Sequence, residues 1–207
     1  MAEFKTHLTG GMVTGISIAL AVNLSLKLNP VQTCAVFLMG STGGILPDLD
    51  SDSGKPLAIL CGQLSVLIPA LLVDRIIRDV NNSPEFLISY FVLSYFFINN
   101  IICEIIKKVT KHRGIMHSIP FAFLCGGAAY HLFMPSGRHM AIAAGVALFS
   151  GCIVHLVLDE LDSLTIKFGV IPVIKNSCGT ALKFRSGSGL ATAFIYIMTI
   201  FLFIKIL

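Results

Sequence analysis

Seven long apolar runs dominate this chain and leave little room for charge between them. They cover roughly residues 9–27, 31–47, 57–73, 86–106, 118–134, 140–158 and 189–207. Each is near the length needed to cross a bilayer core of about 30 Å at about 1.5 Å per residue. Charged residues make up 13% of the chain, against about 25% in soluble domains. The sequence therefore predicts an integral membrane protein, an all-α polytopic transmembrane bundle of about six or seven helices.

The organisation of the chain is predicted to be simple. No linker or repeat divides it, so we expect one domain over residues 1–207, with a polar, ordered segment at the membrane face over 159–188. The run 57–73 contains a glutamine and a proline, which leaves a re-entrant segment as an alternative to a full crossing. The first run contains an Ala-Leu-Ala sequence at 19–21 that resembles a signal-peptide cleavage site, but its leader has no net positive side-chain charge, so a retained helix is expected.

Charge and cysteine content exclude several classes of function. The formal net charge is +4, too small and too scattered to indicate a nucleic-acid partner. The expected partners are membrane lipids. Six cysteines are present, five of them in apolar runs, and no pair has CxxC spacing. We predict that they are small buried apolar residues, neither disulfides nor zinc ligands.

Histidine and aspartate concentrate at the ends of the apolar runs. The residues concerned are His7, Asp48, Asp50, His112, His117, His155 and Asp159. If every run crosses the membrane once, all of these run ends fall on the same face. Ionisable residues in membrane segments are costly and usually functional. The pattern predicts one polar site at that face.

The spacing of these residues fits metal coordination. His155 and Asp159 are four apart, which places both on one face of a helix. Pro47 ends the second run, so the carboxylates of Asp48 and Asp50 can turn inward. A mixed set of imidazoles and carboxylates suits Zn²⁺, Mn²⁺ or Fe²⁺. We predict a divalent ion, with zinc as the first expectation, and the number of ligands allows one ion or two. His7 could equally be a polar helix cap.

These motifs resemble those of the YdjM-type family, inner-membrane proteins described as metal-dependent hydrolases. The resemblance covers about residues 7–175 and rests on His7 before a Gly-Gly pair and on the segments 46–50, 112–118 and 155–159. It implies that the seven His and Asp residues above are metal or catalytic residues. It also implies a membrane-bound hydrolase of phospholipid-like substrates. The segment after Asp159 departs from the family, since it lacks a proline and adds Asp162.

The leading hypothesis is a metal-dependent hydrolase of an ester or phosphoester. The predicted metal ligands are His7, Asp48, Asp50, His117, His155 and Asp159. Asp50 could also act as general base, His112 could contact substrate or support the ligands, and Arg113 could hold phosphate oxygens. Ten of the 15 Lys and Arg residues fall on the predicted site face, so the positive-inside bias predicts that the site faces the cytoplasm.

Two other functions compete with hydrolysis. A metal-ion transporter or channel would also carry intramembrane His and Asp, but transport sites tend to lie near the midplane of the bilayer. A non-catalytic membrane scaffold would use the metal only to hold helices together. An open coordination position would distinguish the enzyme from the scaffold.

Overall fold

The computed structural model describes residues 4–50, 54–105, 116–167, 171–174, 182–185 and 189–206, with the backbone alone at 49, 50, 54–56, 164–167 and 171–174. The described residues form seven α-helices, as predicted. These are α1 Phe4–Leu26, α2 Pro30–Gly43, α3 Gly54–Asp79, α4 Pro84–Phe97, α5 Ile119–Phe133, α6 Arg138–Ser163 and α7 Gly189–Ile204. The prediction of a polytopic helical membrane protein is confirmed.

The helices differ in their capacity to cross a membrane. Within the described part of the chain, four stretches are long and apolar enough, namely Phe4–Leu26, Leu57–Asp79, Pro84–Ile105 and Arg138–Ser163. The helix α3 runs unbroken past Pro69 and belongs to this set. In contrast, α2 has 14 residues, α5 has 15 and α7 has 16, which is about 21–24 Å of helix. Helix length alone therefore does not indicate that all seven helices cross the membrane.

Local sequence explains where the two short helices next to the site begin. Asn29 caps α2: its side chain accepts a hydrogen bond from the Gln32 backbone N–H at 2.8 Å, and the Gln32 side chain accepts one from the Asn29 N–H at 3.1 Å. Ser118 caps α5 by accepting a hydrogen bond from the Phe121 N–H at 3.3 Å. The Ser118 cap fixes His117 immediately before the first turn of α5.

Contacts divide the chain into two compact units, residues 1–48 with 113–207, and residues 49–112. The first unit contains α1, α2, α5, α6 and α7. The second contains α3, α4 and a π-helical turn, Ile98–Ile102, that follows α4. In the second unit the Tyr90 hydroxyl donates a hydrogen bond to the Pro69 carbonyl at 3.0 Å. A single domain over residues 1–207 stays a prediction.

Glycines bring α1, α2 and α6 into backbone contact in the first unit. A Cβ placed on Gly40 would lie 2.5 Å from the Cα of Gly15, and one placed on Gly44 would lie 2.5 Å from the Cα of Gly11. A Cβ on Gly151 of α6 would meet the Gly40 carbonyl. Only residues without a side chain permit helices to approach so closely. We call Gly11, Gly15, Gly40, Gly43, Gly44 and Gly151 the glycine junction.

A short hairpin follows α6 inside the predicted polar segment 159–188. Strands β1 Leu164–Lys167 and β2 Ile171–Ile174 pair antiparallel, with Leu164 opposite Ile174 and Lys167 opposite Ile171. The polar segment thus begins in the last turn of α6 and continues as paired strands. Paired strands satisfy the backbone N–H and C=O groups of a segment that is not helical.

The cysteine prediction is wrong for one pair. Cys61 of α3 and Cys103, just after the π-helical turn, form a disulfide with their Cα atoms 6.2 Å apart. The antiparallel pairing of α3 with α4 brings these positions together. They are 42 residues apart in sequence, and no local sequence motif predicts such a pairing. Cys125 and Cys152 are buried free thiols as expected, whereas Cys34 is exposed. Cys178 lies outside the described residues.

Candidate metal centre

Five of the predicted ligands converge in the first unit from four parts of the chain. They are His7 near the start of α1, Asp48 in the 3-10 helix Leu46–Asp50 after α2, His117 before α5, and His155 and Asp159 near the end of α6. The three histidines are at most 1% exposed and the two aspartates are 4% exposed. Charged groups are rarely buried so completely unless they are paired or bind an ion.

The sequence explains how each side chain reaches the cluster. His155 and Asp159 lie one helical turn apart on α6, so both point the same way. The helix α2 ends in consecutive glycines, and the chain then turns through a 3-10 helix in which the Asp48 N–H donates to the Ile45 carbonyl at 3.1 Å. The turn carries the Asp48 carboxylate back toward α1 and α6.

The donor atoms lie at similar distances from one another. The Nε2 atom of His7 is 3.2 Å from Oδ1 of Asp159. The His117 Nε2 is 3.6 Å from Oδ1 of Asp48 and 3.7 Å from Oδ2 of Asp159. The His155 Nε2 is 3.7 Å from the same Asp48 oxygen and 3.9 Å from the same Asp159 oxygen. Three imidazoles and two carboxylates therefore face one small volume.

These separations match those between ligands of a common ion. Nitrogen and oxygen ligands about 2.0–2.2 Å from a metal lie about 2.8–3.8 Å from each other at octahedral to trigonal angles. The observed His–Asp distances run from 3.2 to 3.9 Å and exceed this range only at the upper end. Two overlapping sets have all their donor atoms within 4.8 Å of one another, His7 with Asp48 and His155, and His117 with His155 and Asp159. The cluster can hold a metal ion.

One hydrogen bond determines which nitrogen of His155 is available to an ion. The His155 Nδ1 lies 2.7 Å from the Gly44 carbonyl oxygen. Since a carbonyl only accepts hydrogen bonds, Nδ1 carries the proton and Nε2 presents a lone pair to the cluster. Metal-binding histidines commonly have this arrangement. The His7 ring stacks on His155, with centroids 3.8 Å apart and an interplanar angle of 17°, which restrains both rings.

Several of the nitrogen and oxygen atoms that could coordinate a metal lack hydrogen-bond partners among the described residues. They are Nδ1 of His7, Nε2 of His155 and Oδ1 of Asp48. Each buried polar atom left unsatisfied costs about 1–3 kcal/mol. A bound cation would satisfy the lone pairs that face the cluster, and two carboxylates would balance a divalent charge. The residues present therefore fit a divalent metal.

Asp48 is ionised in this environment. Burial would raise the pKa of its carboxyl group, but the neighbouring His117, His155 and His7 outweigh burial and lower the pKa below the ordinary value of 3.8. The carboxylate is therefore anionic at neutral pH, as a metal ligand must be.

Three predicted site residues are not placed in the cluster. Asp50 ends the 3-10 helix, and only its backbone is described. His112 and Arg113 lie outside the described residues. The roles assigned to these three residues stay predictions.

Gly44, whose carbonyl oxygen holds the His155 ring, was not among the predicted site residues. Its signal was present in the run Gly40-Ser41-Thr42-Gly43-Gly44, which indicates close packing of helices. Close packing brings a backbone carbonyl next to a side chain on another helix, but the sequence does not show which carbonyl is involved.

Comparisons with known proteins agree with this architecture. A family model described as "YdjM inner membrane protein" matches residues 1–206. No match was found among the curated proteins or among the solved structures.

Proposed function

The chain belongs to the YdjM inner membrane protein family, and we propose that it is a membrane-bound hydrolase that uses the buried His/Asp cluster to cleave an ester or phosphoester. The observation that carries this proposal is the convergence of three histidine Nε2 atoms and two carboxylates on one small volume. Imidazoles, alone or together with a carboxylate, are the protein ligands of several catalytic zinc sites, where three of them bind the ion and water takes the remaining position. Zinc is the first expectation, and Mn²⁺ or Fe²⁺ would also suit these ligands.

We assign one ion to the cluster, because the two candidate ligand sets share His155. When bound, a divalent ion supplies Lewis-acid activation of water and of the scissile group. His7, His117 and His155 supply neutral nitrogen ligands, while Asp48 and Asp159 supply negative charge. The Gly44 carbonyl keeps the His155 ring in the productive tautomer.

The remaining predicted residues would act on water and substrate. Asp50 follows the ligand Asp48 by two positions and is proposed as the general base that removes a proton from water. Arg113 and His112 precede His117 in sequence and are proposed to contact the substrate. The planar guanidinium of Arg113 suits two oxygens of a phosphate group.

The depth of the cluster along the helices favours a lipid-like substrate. His7 lies 19 residues from the far end of α1 and His155 lies 17 residues from the far end of α6, which is about 26–29 Å of helix. The hydrocarbon core is about 30 Å thick. The cluster would therefore lie near one membrane surface, where the ester and phosphate groups of lipids also lie.

Two other functions make different predictions. A transport site would lie near the midplane on broken helices, whereas this cluster lies at the ends of helices. A structural metal that only joins helices is favoured by the near-complete burial of all five side chains. Hydrolysis requires a coordination position that exchanges water, and a structural site does not.

The direct test of hydrolysis is a screen of the purified, zinc-loaded protein against phosphodiesters, phosphomonoesters and carboxylic esters in lipid micelles. We expect turnover that requires the metal and that is lost in Asp159→Ala. His131→Ala is the matched control, because its Nε2 lies 2.9 Å from the Leu202 carbonyl, outside the cluster. A wild-type protein that retains zinc but cleaves none of these substrates would support the structural-metal alternative.

Arg113→Ala tests the proposed contact with phosphate. We expect this variant to keep its metal and to lower turnover of an anionic phosphoester by tenfold or more, about 1.4 kcal/mol in transition-state binding. Turnover of a neutral carboxylic ester should change much less. Steady-state kinetics on both substrates provide the measurement. An equal loss on both substrates would argue against phosphate recognition by Arg113.

The orientation of the site can be tested by labelling. We expect Asp52→Cys, in a protein otherwise free of cysteine, to resist a membrane-impermeant maleimide added to intact cells. Arg138→Cys should react, because the positive-inside bias places position 138 outside. Labelling of position 52 together with protection of position 138 would reverse the proposed cytoplasmic orientation.

A further inference from the structure

A second polar site lies in the unit formed by α3 and α4. The Cys61–Cys103 disulfide borders a cavity of about 190 Å³ that is also lined by Asn99, Asn100 and Glu104. Two of these polar residues belong to the π-helical turn Ile98–Ile102, and Glu104 follows it closely. The residues that line the cavity include none of the predicted metal ligands, and the proposed hydrolysis does not use them.

The position of the cavity gives it access to water. Cys61 is four residues from the start of the span Leu57–Asp79, and Cys103 is two residues from the end of the span Pro84–Ile105. Both sulfurs are therefore within about 6 Å of the end of a membrane span. Asn100 and Glu104 are exposed at the cavity, whereas Cys61 and Cys103 are 4% and 5% exposed. The sulfurs lie at the base of an opening with a polar rim.

The backbone next to Cys103 is also irregular. The five residues Ile98–Ile102 form a π-helical turn between α4 and Cys103, and such turns are frequent at functional sites. The turn places two successive asparagines at the cavity that also contains the sulfurs. A purely structural disulfide would not need a polar opening beside it.

We propose that Cys61 and Cys103 form a reversible thiol–disulfide site that exchanges with a low-molecular-weight thiol through this cavity. A thiolate of the small molecule attacks one sulfur, the S–S bond breaks, and the other cysteine leaves as a thiolate and takes up a proton. A second small thiol attacks the mixed disulfide, which frees the second cysteine. The protein disulfide gains two electrons, and two thiols become one small-molecule disulfide.

The site would control the connection between α3 and α4. The oxidised form joins the two helices covalently near the ends of their spans. In the reduced form, contacts such as the hydrogen bond from Tyr90 to the Pro69 carbonyl remain. Burial of the sulfurs means that the cavity is the expected route to them, since reactivity of a cysteine depends on access.

The test counts free thiols in the full-length protein in detergent, after equilibration with reduced or oxidised glutathione. Denatured samples are treated with a maleimide polymer that adds mass at each thiol. We expect all six cysteines to react after the reduced buffer and two fewer after the oxidised buffer, reversibly. Cys61→Ser should lose one adduct and the redox difference, whereas Cys34→Ser should lose one adduct and keep the difference.

The route through the cavity is tested by rates. Ala58 lines the cavity, and Ala58→Leu should slow reduction by glutathione about tenfold without changing the end point. Ala70→Leu, on the same helix and outside the cavity lining, should react at the wild-type rate. The proposal is overturned if no adducts are lost on oxidation, if excess reduced glutathione never opens the disulfide, or if Ala58→Leu reacts as fast as Ala70→Leu.

Discussion

Replacement of Gly40 by alanine is expected to destabilise the first unit strongly. The new Cβ would lie 2.5 Å from the Cα of Gly15 and 2.9 Å from its backbone nitrogen. Both are backbone atoms of α1, so no side-chain rotation can relieve the overlap, and the helices must move apart. Overpacking of this kind costs about 1–3 kcal/mol and occasionally more. Thermal unfolding of the detergent-solubilised protein, followed by circular dichroism, provides the measurement.

Gly62→Ala is the matched control for this substitution. Gly62 lies in α3, and among the described residues no atom beyond the backbone of its own helical turn lies within 4 Å of a Cβ placed there. Alanine is a better helix former than glycine by about 1 kcal/mol, so this variant should be as stable as the wild type or slightly more stable. If Gly40→Ala unfolds at the same temperature as Gly62→Ala, close backbone packing at the glycine junction is not what holds α1 against α2.

His155→Ala and Asp159→Ala are each expected to lose the bound metal. The two residues lie one turn apart on α6, with Nε2 of His155 3.9 Å from Oδ2 of Asp159. The same Nε2 lies 3.7 Å from Oδ1 of Asp48, and the same Oδ2 lies 3.7 Å from Nε2 of His117. Loss of a ligand, or even of a group that orients one, commonly lowers metal affinity 10–100-fold or more. Metal content after dialysis, measured by elemental analysis, checks this expectation.

His131→Ala should leave the metal content unchanged. Its ring lies on α5 and contacts the Leu202 carbonyl of α7 at 2.9 Å. A protein that loses its metal on His131→Ala but keeps it on Asp159→Ala would place the ion elsewhere. Circular dichroism of each variant separates loss of a ligand from loss of the fold.

The sequence predicted the helices and much of the cluster for a simple physical reason. A low-dielectric membrane allows few polar residues, so His and Asp in an apolar chain stand out as functional candidates. His155 and Asp159 were also fixed relative to each other by helix geometry. If each apolar run crosses the membrane once, His7 and Asp48 fall on the same membrane face. That assumption led to the right grouping although α2, with 14 residues, is shorter than a full crossing.

Other features could not be read from the sequence, because they depend on contacts between distant segments. The disulfide between Cys61 and Cys103 needs the exact pairing of α3 with α4. The hydrogen bond from His155 to the Gly44 carbonyl spans 111 residues and involves a backbone atom, which every residue possesses. Residue type alone therefore pointed to the five residues that converge in the cluster, but not to the carbonyl that orients the His155 ring.

X-ray absorption at the zinc edge of the full-length, zinc-loaded protein tests the metal centre most directly. We predict one retained ion per chain, with nitrogen and oxygen ligands at about 2.0–2.2 Å, imidazole scattering, and no sulfur at about 2.3 Å. His155→Ala should remove the retained ion. Failure of the wild-type protein to retain zinc, or a sulfur shell that places the ion on thiols such as the buried Cys125 and Cys152, would contradict a metal centre built from the His/Asp cluster.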